Sequence, residues 1–156
     1  VSFWFKADNV TQSQGLFSKD SSGFDTGGHL TIYIDTDSKL KARLQSVSGS
    51  HTLISSNNNP DTWYHVAFSF GEGGMELSLN GGTPVTNSYS GGFGSTSGGS
   101  GNFEPIVVGA SGWHSGDKVA TPIKAYFKGI IDELMLFDEK LSDTEIDELV
   151  AAGNNL

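Results

Sequence analysis

The sequence predicts an all-β protein: an antiparallel two-sheet sandwich with one short C-terminal helix. Three observations predict it. Apolar residues recur at every second position through most of the chain, the period of a strand with one buried face. Glycine supplies 21 of 156 residues, far above the usual ~7%, which implies many tight turns. Turn-forming clusters separate the alternating runs at a spacing of roughly eight to twelve residues, as in sandwiches.

The elements follow in order. In the opening run Val1, Phe3 and Phe5 share a face. Strands are expected at 16–19 and 29–34. Leu40, Ala42 and Leu44 alternate with Lys39, Lys41, Arg43 and Gln45, a strand with one wet face. A strand is expected at 51–55. Tyr64, Val66 and Phe68 alternate with Trp63, His65 and Ala67, and Met75, Leu77 and Leu79 with Glu76, Ser78 and Asn80. Later strands are expected at 104–109 and 125–137. Residues 35–38, the cluster from Asn57 to Asp61, and Asn80-Gly81-Gly82 supply turns. Residues 87–102 hold six glycines and five serines and read as one long loop. At the C-terminus Ser142 and Glu145 form a capping box. Ile146, Leu149 and Val150 make an apolar stripe and Gly153 a stop, so a helix is expected over 143–152.

Composition removes several classes of function. The formal net charge of −9 argues against nucleic acid and anionic membranes, which need clustered Lys and Arg. There is no cysteine, hence no disulfide or thiolate metal site. No stretch approaches the ~20 apolar residues of a membrane span, and no signal peptide is visible. The chain opens directly in a strand, as processing or excision from a longer polypeptide would leave it. Few lysines, many small polar residues and no cysteine point to an extracellular or cell-surface module of bacterial source.

Taken in order, these segments resemble the laminin-G-like jelly roll of the concanavalin A-like lectin/glucanase superfamily. The resemblance lies in Val-Ser-Phe-Trp-Phe at 1–5, Gly-Leu-Phe-Ser-Lys-Asp at 15–20 and Thr-Trp-Tyr-His-Val-Ala at 62–67. It continues through Leu-Ser-Leu-Asn-Gly at 77–81, Ile-Val-Val-Gly at 106–109, Phe-Lys-Gly-Ile-Ile-Asp-Glu at 127–133 and the closing helix at 141–146. It implies one domain over residues 1–156. Members usually begin with a further edge strand, which this chain lacks, and an adjoining sheet edge is then expected to lie bare.

Chemistry is sparse. Asp132 and Glu133 are adjacent, so on a regular strand they face opposite ways and do not make the facing carboxylate pair of a glycosidase. Tyr-Phe-Lys at 126–128 has a passing likeness to sandwich alginate lyases, but Arg43 is the only arginine and the supporting motifs are missing. The ligand-binding candidates are Trp113, His114 and Asp117, in an expected Gly/Ser-flanked loop over 109–117, with Tyr89 in the glycine-rich loop. A sugar ring stacks on such an aromatic while polar neighbours bind its hydroxyls. Trp4, Trp63, His29, His51 and His65 fall on strands and read as packing residues. Asn9, Val10 and Thr11 form a glycosylation sequon. The resemblance also implies structural calcium (Ca2+): Asp132 by its place on the last long strand, and Asp20, Asp25 and Asp117 by loop position. The expectation is a non-catalytic recognition module with a glycan, or else a cell-surface or matrix protein, as partner. Spacer and sandwich-hydrolase or lyase readings compete with it.

Overall fold

A computed structural model describes residues 1–19, 29–46, 49–92, 105–115 and 118–153; at 46, 112–115 and 118–122 it describes the backbone alone. The strands are β1 (Ser2–Ala7), β2 (Gln14–Lys19), β3 (His29–Ile34), β4 (Lys39–Ser46), β5 (Gly49–Asn57), β6 (Trp63–Ser69), β7 (Met75–Leu79), β8 (Val85–Asn87), β9 (Val107–Val108), β10 (Ser111–Ser115), β11 (Lys118–Lys124) and β12 (Gly129–Met135). One helix, α1 (Asp143–Gly153), follows. Five strands in the order β12-β1-β6-β7-β8 form one sheet and five in the order β5-β4-β3-β2-β9 the other. β10 and β11 form a separate two-stranded sheet. All pairings are antiparallel.

The two-residue period places the core as expected. Phe3 and Phe5 from β1, Ile32 and Ile34 from β3, Leu40, Ala42 and Leu44 from β4, and Val66 and Phe68 from β6 are all buried in one cluster. Each large side chain there contributes about 1.5–3 kcal/mol by leaving water. Phe5 stacks on Tyr64 at 5.5 Å and meets Phe127 edge-on at 6.4 Å. The other face of β1 is buried as well, because α1 lies across it. A Cβ added to Gly153 would sit 2.2 Å from Trp4 Nε1, so the helix end is closed onto the indole.

Local chemistry sets the turns. Asn80 and Gly81 take φ of 55° and 68°, and the Gly82 N–H donates to the Leu79 carbonyl at 3.1 Å. Two positive φ values around an i→i+3 bond make a type I′ turn, for which Asn-Gly is the preferred pair. Between β3 and β4, Lys41 Nζ reaches Asp35 at 2.7 Å and Asp37 at 3.1 Å. The Lys41 hydrogen bond draws the Asp35 carboxyl below its ordinary pKa. At α1 the Glu145 N–H donates to Ser142 Oγ at 3.3 Å, while Glu145 Oε2 accepts from the Ser142 N–H at 2.8 Å. The capping box is therefore reciprocal.

Three expectations are corrected. Within the expected loop over 109–117, residues 111–115 instead form β10. The expected strand over 125–137 starts only at Gly129, because Ala125 takes a positive φ of 51° and residues 125–128 bond instead to the neighbouring rim. Of the described part of the expected strand at 104–109, residues 105–109, Val107 and Val108 alone pair.

Candidate functional site

The loop after β1, the β10–β11 hairpin and the β11–β12 connection meet at one end of the sandwich. Five hydrogen bonds tie them together. The Gly15 N–H donates to the Ala125 carbonyl at 2.8 Å, Phe127 N–H to Gly109 O at 2.8 Å, and Asp8 N–H to Lys128 O at 3.0 Å. Gln14, only 2% exposed, spans the other two: its Nε2 donates to Asn9 O at 2.6 Å and its Oε1 accepts from Lys128 N–H at 2.9 Å. An amide buried this deeply must be paired on both ends, and both partners are rim backbone. Asn9 Oδ1 accepts from the Thr11 N–H at 2.7 Å, fixing the turn that carries the sequon. Gly129 finishes the join with a φ of 147°; a Cβ there would meet the Lys6 carbonyl at 2.1 Å.

This scaffold drives Phe127 inward onto Phe5 and leaves Tyr126 outside, 64% exposed. Lys124 and Lys128, on either side, are exposed as well. In the sequence Tyr126 stands out only through the passing lyase likeness of Tyr-Phe-Lys, not as a binding residue. The available signal was the Tyr-Phe dipeptide at a strand entry, where one ring must turn in and the other out.

The structure brings the predicted site residues together only in part. Trp113 and His114 lie on β10, their Cα atoms in register with Ala120 and Val119 of β11. Ser111 on the same hairpin pairs with Lys124, two residues before Tyr126. The backbone that carries Trp113 and His114 is thus one arm of the hairpin whose base leads to Tyr126, with Trp113 opposite Ala120, six residues before the tyrosine. Asp117, Asp20 and Asp25 lie outside the described residues. Tyr89 is set apart from this rim. Its ring stacks on His51 at 3.8 Å and 10° and packs against the core, so one face is already occupied.

Asp132 does not sit in a ligand cage. β12 gains one residue against β1 between Trp4 and Ser2, and Glu133 takes a positive φ of 50°. This is a β-bulge. Asp132 Oδ1 accepts the Glu133 N–H at 2.8 Å, which occupies the carboxylate locally. Among the described residues no three His, Cys, Asp or Glu side chains converge.

His65 is structural in setting: it is buried, its Nε2 2.8 Å from Ser2 Oγ and its ring 5.3 Å from Trp4. Burial pushes its pKa down to about 4. Trp63 is half-buried, with Lys6 Nζ 5.3 Å from its ring centre, so a cation covers it.

Comparison with known proteins agrees with this architecture. The family model described as the concanavalin A-like lectin/glucanases superfamily matches residues 1–147. No curated protein matches the sequence. Among solved structures, a native heptameric SAP-like pentraxin from Limulus polyphemus is similar at 18% identity and a TM-score of 0.65, covering 97% of this chain and 69% of that one. The CBM40 of the Ruminococcus gnavus IT-sialidase, bound to α2,3-sialyllactose, is similar at 16% identity and a TM-score of 0.65, covering 96% and 80%. Domains LG4-5 of the mouse laminin α1 chain match at 17% identity and a TM-score of 0.59; 83% of this chain corresponds to 32% of that fragment.

Proposed function

Because this chain belongs to the concanavalin A-like lectin/glucanase superfamily, we propose that it is a non-catalytic recognition module of an extracellular or cell-surface protein that binds glycans at the rim carrying Trp113 and Tyr126. One observation carries the reading: an exposed tyrosine ring is held on a hydrogen-bonded backbone beside a hairpin that belongs to neither main sheet. Such a ring gives the fold little and offers a sugar a rigid apolar surface. His114 and Asp117, on or next to the same hairpin, supply hydroxyl partners. The sialyllactose-bound CBM40 has the same fold and supports a sugar as the ligand class. Calcium enters this reading only through Asp20, Asp25 and Asp117, not through Asp132. The test is a glycan array with and without calcium, run on the parent, Trp113→Ala and Tyr126→Ala. Binding by the parent that either variant loses supports the reading; variants that bind as the parent does refute the site.

A second reading, protein adhesion, is favoured by a different surface. β12 ends its sheet and exposes Ile130 and Leu134, with Leu136 and Phe137 beyond it. They adjoin a groove lined by Phe17, Leu30, Phe68 and Ile106. Apolar strand edges of this kind take up other chains. Concentration-dependent association in sedimentation velocity that Leu134→Lys abolishes would favour it; a monomer unchanged by the substitution would not.

A further inference from the structure

The chain carries a net charge of −9, yet from Lys118 to Ile131 it holds three lysines and no acid. Exposure alternates through the second half of that stretch. Lys124, Tyr126 and Lys128 are exposed, whereas Ile123, Ala125 and Phe127 are half-buried. The result is a cation, an aromatic ring and a second cation in a row on an otherwise acidic protein. Lys6 lies at the same end of the neighbouring strand β1, in register with Ile130.

The row is held in place. Ala125 O, Phe127 N–H, Lys128 N–H and Lys128 O are all bonded to the rest of the rim. Tyr126 is the most exposed of the described large hydrophobic side chains that lie open to solvent. A preorganised tyrosine loses little conformational entropy when it is covered. Ring and cations differ in what they recognise. The ring stacks on the C–H face of any pyranose. The ammonium groups distinguish sugars, because they pair with a carboxylate and gain nothing comparable from a hydroxyl.

We propose that this rim selects acidic glycans, with Tyr126 stacking on the sugar and Lys124 and Lys128 drawing in its carboxylate. The inference rests on the glycan-binding reading above and adds to it the charge of the ligand. It also accounts for the placing of lysines here, where an acidic protein would otherwise repel an acidic sugar.

The test is titration calorimetry with two matched pairs of probes: 3′-sialyllactose against lactose, and tetragalacturonate against galactotetraose. Each is run at low and at high salt, with the parent, the Lys124→Gln/Lys128→Gln double variant and Tyr126→Ala. The expected result is an acidic member bound about tenfold tighter or more at low salt, a margin that narrows as salt rises. The double variant removes the margin between acidic and neutral members, and Tyr126→Ala weakens both. Equal binding of acidic and neutral members, or a margin that survives in the double variant, overturns the inference and leaves glycan binding standing. Failure of every glycan, on these pairs and on the array, overturns both.

Discussion

Acidification is predicted to strip stability from this fold through His65. The ring is 1% exposed, sits beside Trp4 across the β1–β6 pair, and has one protein hydrogen bond among the described residues, to Ser2 Oγ. Its Nδ1 is buried without a partner among the described residues, so a second proton has nowhere to be shared. Burial lowers the pKa from 6.5 to about 4. For a base with a depressed folded value the sign is fixed. Above pH ~6.5 the ring is neutral in both folded and unfolded chains and its full contribution is present. Between 6.5 and about 4 the unfolded chain takes up a proton that the folded chain refuses, so stability falls as the pH falls. At 1.36 kcal/mol per tenfold, the loss reaches about 3 kcal/mol, or about 6–12 °C in melting temperature for a chain of this size. Asp35 and Glu145, whose carboxyls are held low by Lys41 and Ser142, lose their contributions only below the ordinary carboxylate range. The assay is urea unfolding at several pH values from 7.5 to 4.5, with parent and His65→Gln. The variant is less stable at pH 7.5 but has a much flatter profile down to pH 4.5. Parallel profiles would refute the claim that His65 is folded away as a neutral base.

Four further outcomes follow from the geometry. Gln14→Ala unpairs the Asn9 carbonyl and the Lys128 N–H at once and is expected to cost about 2–4 kcal/mol in urea unfolding; under 0.5 kcal/mol would mean that the rim does not depend on this clamp. Gly153→Ala sets two effects against each other. Helix propensity favours alanine by up to ~1 kcal/mol, but the added Cβ overlaps Trp4. The clash is predicted to win, giving a net loss and a red shift in tryptophan emission, whereas a gain in melting temperature would show that the helix does not close on the indole. Gly129→Ala, at positive φ and against the Lys6 carbonyl, is expected to cost more than about 3 kcal/mol in the same assay. Asp132→Asn keeps the bond to the Glu133 N–H and is expected to leave any calcium-induced rise in melting temperature unchanged; loss of that rise would restore Asp132 as a ligand.

Much of the body was legible because two-residue alternation and turn chemistry act locally. Leu40, Ala42 and Leu44 point inward because their neighbours are charged. Asn80-Gly81 turns because both residues tolerate positive φ, and Ser142 with Glu145 caps a helix wherever that pair stands. The site was less legible, because tertiary pairing overrode local preference. Ser111, Gly112 and Ser115 are poor strand residues and Pro122 interrupts the partner strand, yet these two segments pair into β10 and β11. That moves Trp113 from an expected loop onto a hairpin. The role of Gln14 depends on Lys128, 114 positions away, which no short-range pattern reveals. Tyr126 is exposed only because that long-range clamp fixes the register of Phe127. Asp132 is a further case. The resemblance implies a metal ligand there, and no sequence pattern showed that an extra residue in β12 would bring its Oδ1 to the adjacent Glu133 N–H.

Amide chemical-shift mapping during titration with a bound glycan tests most directly whether this rim is where the molecule meets its ligand. The account predicts that the largest shifts fall on residues 111–115 and 118–128, with Trp113 and Tyr126 among them. Shifts confined to the His51–Tyr89 side or to β12 would contradict it.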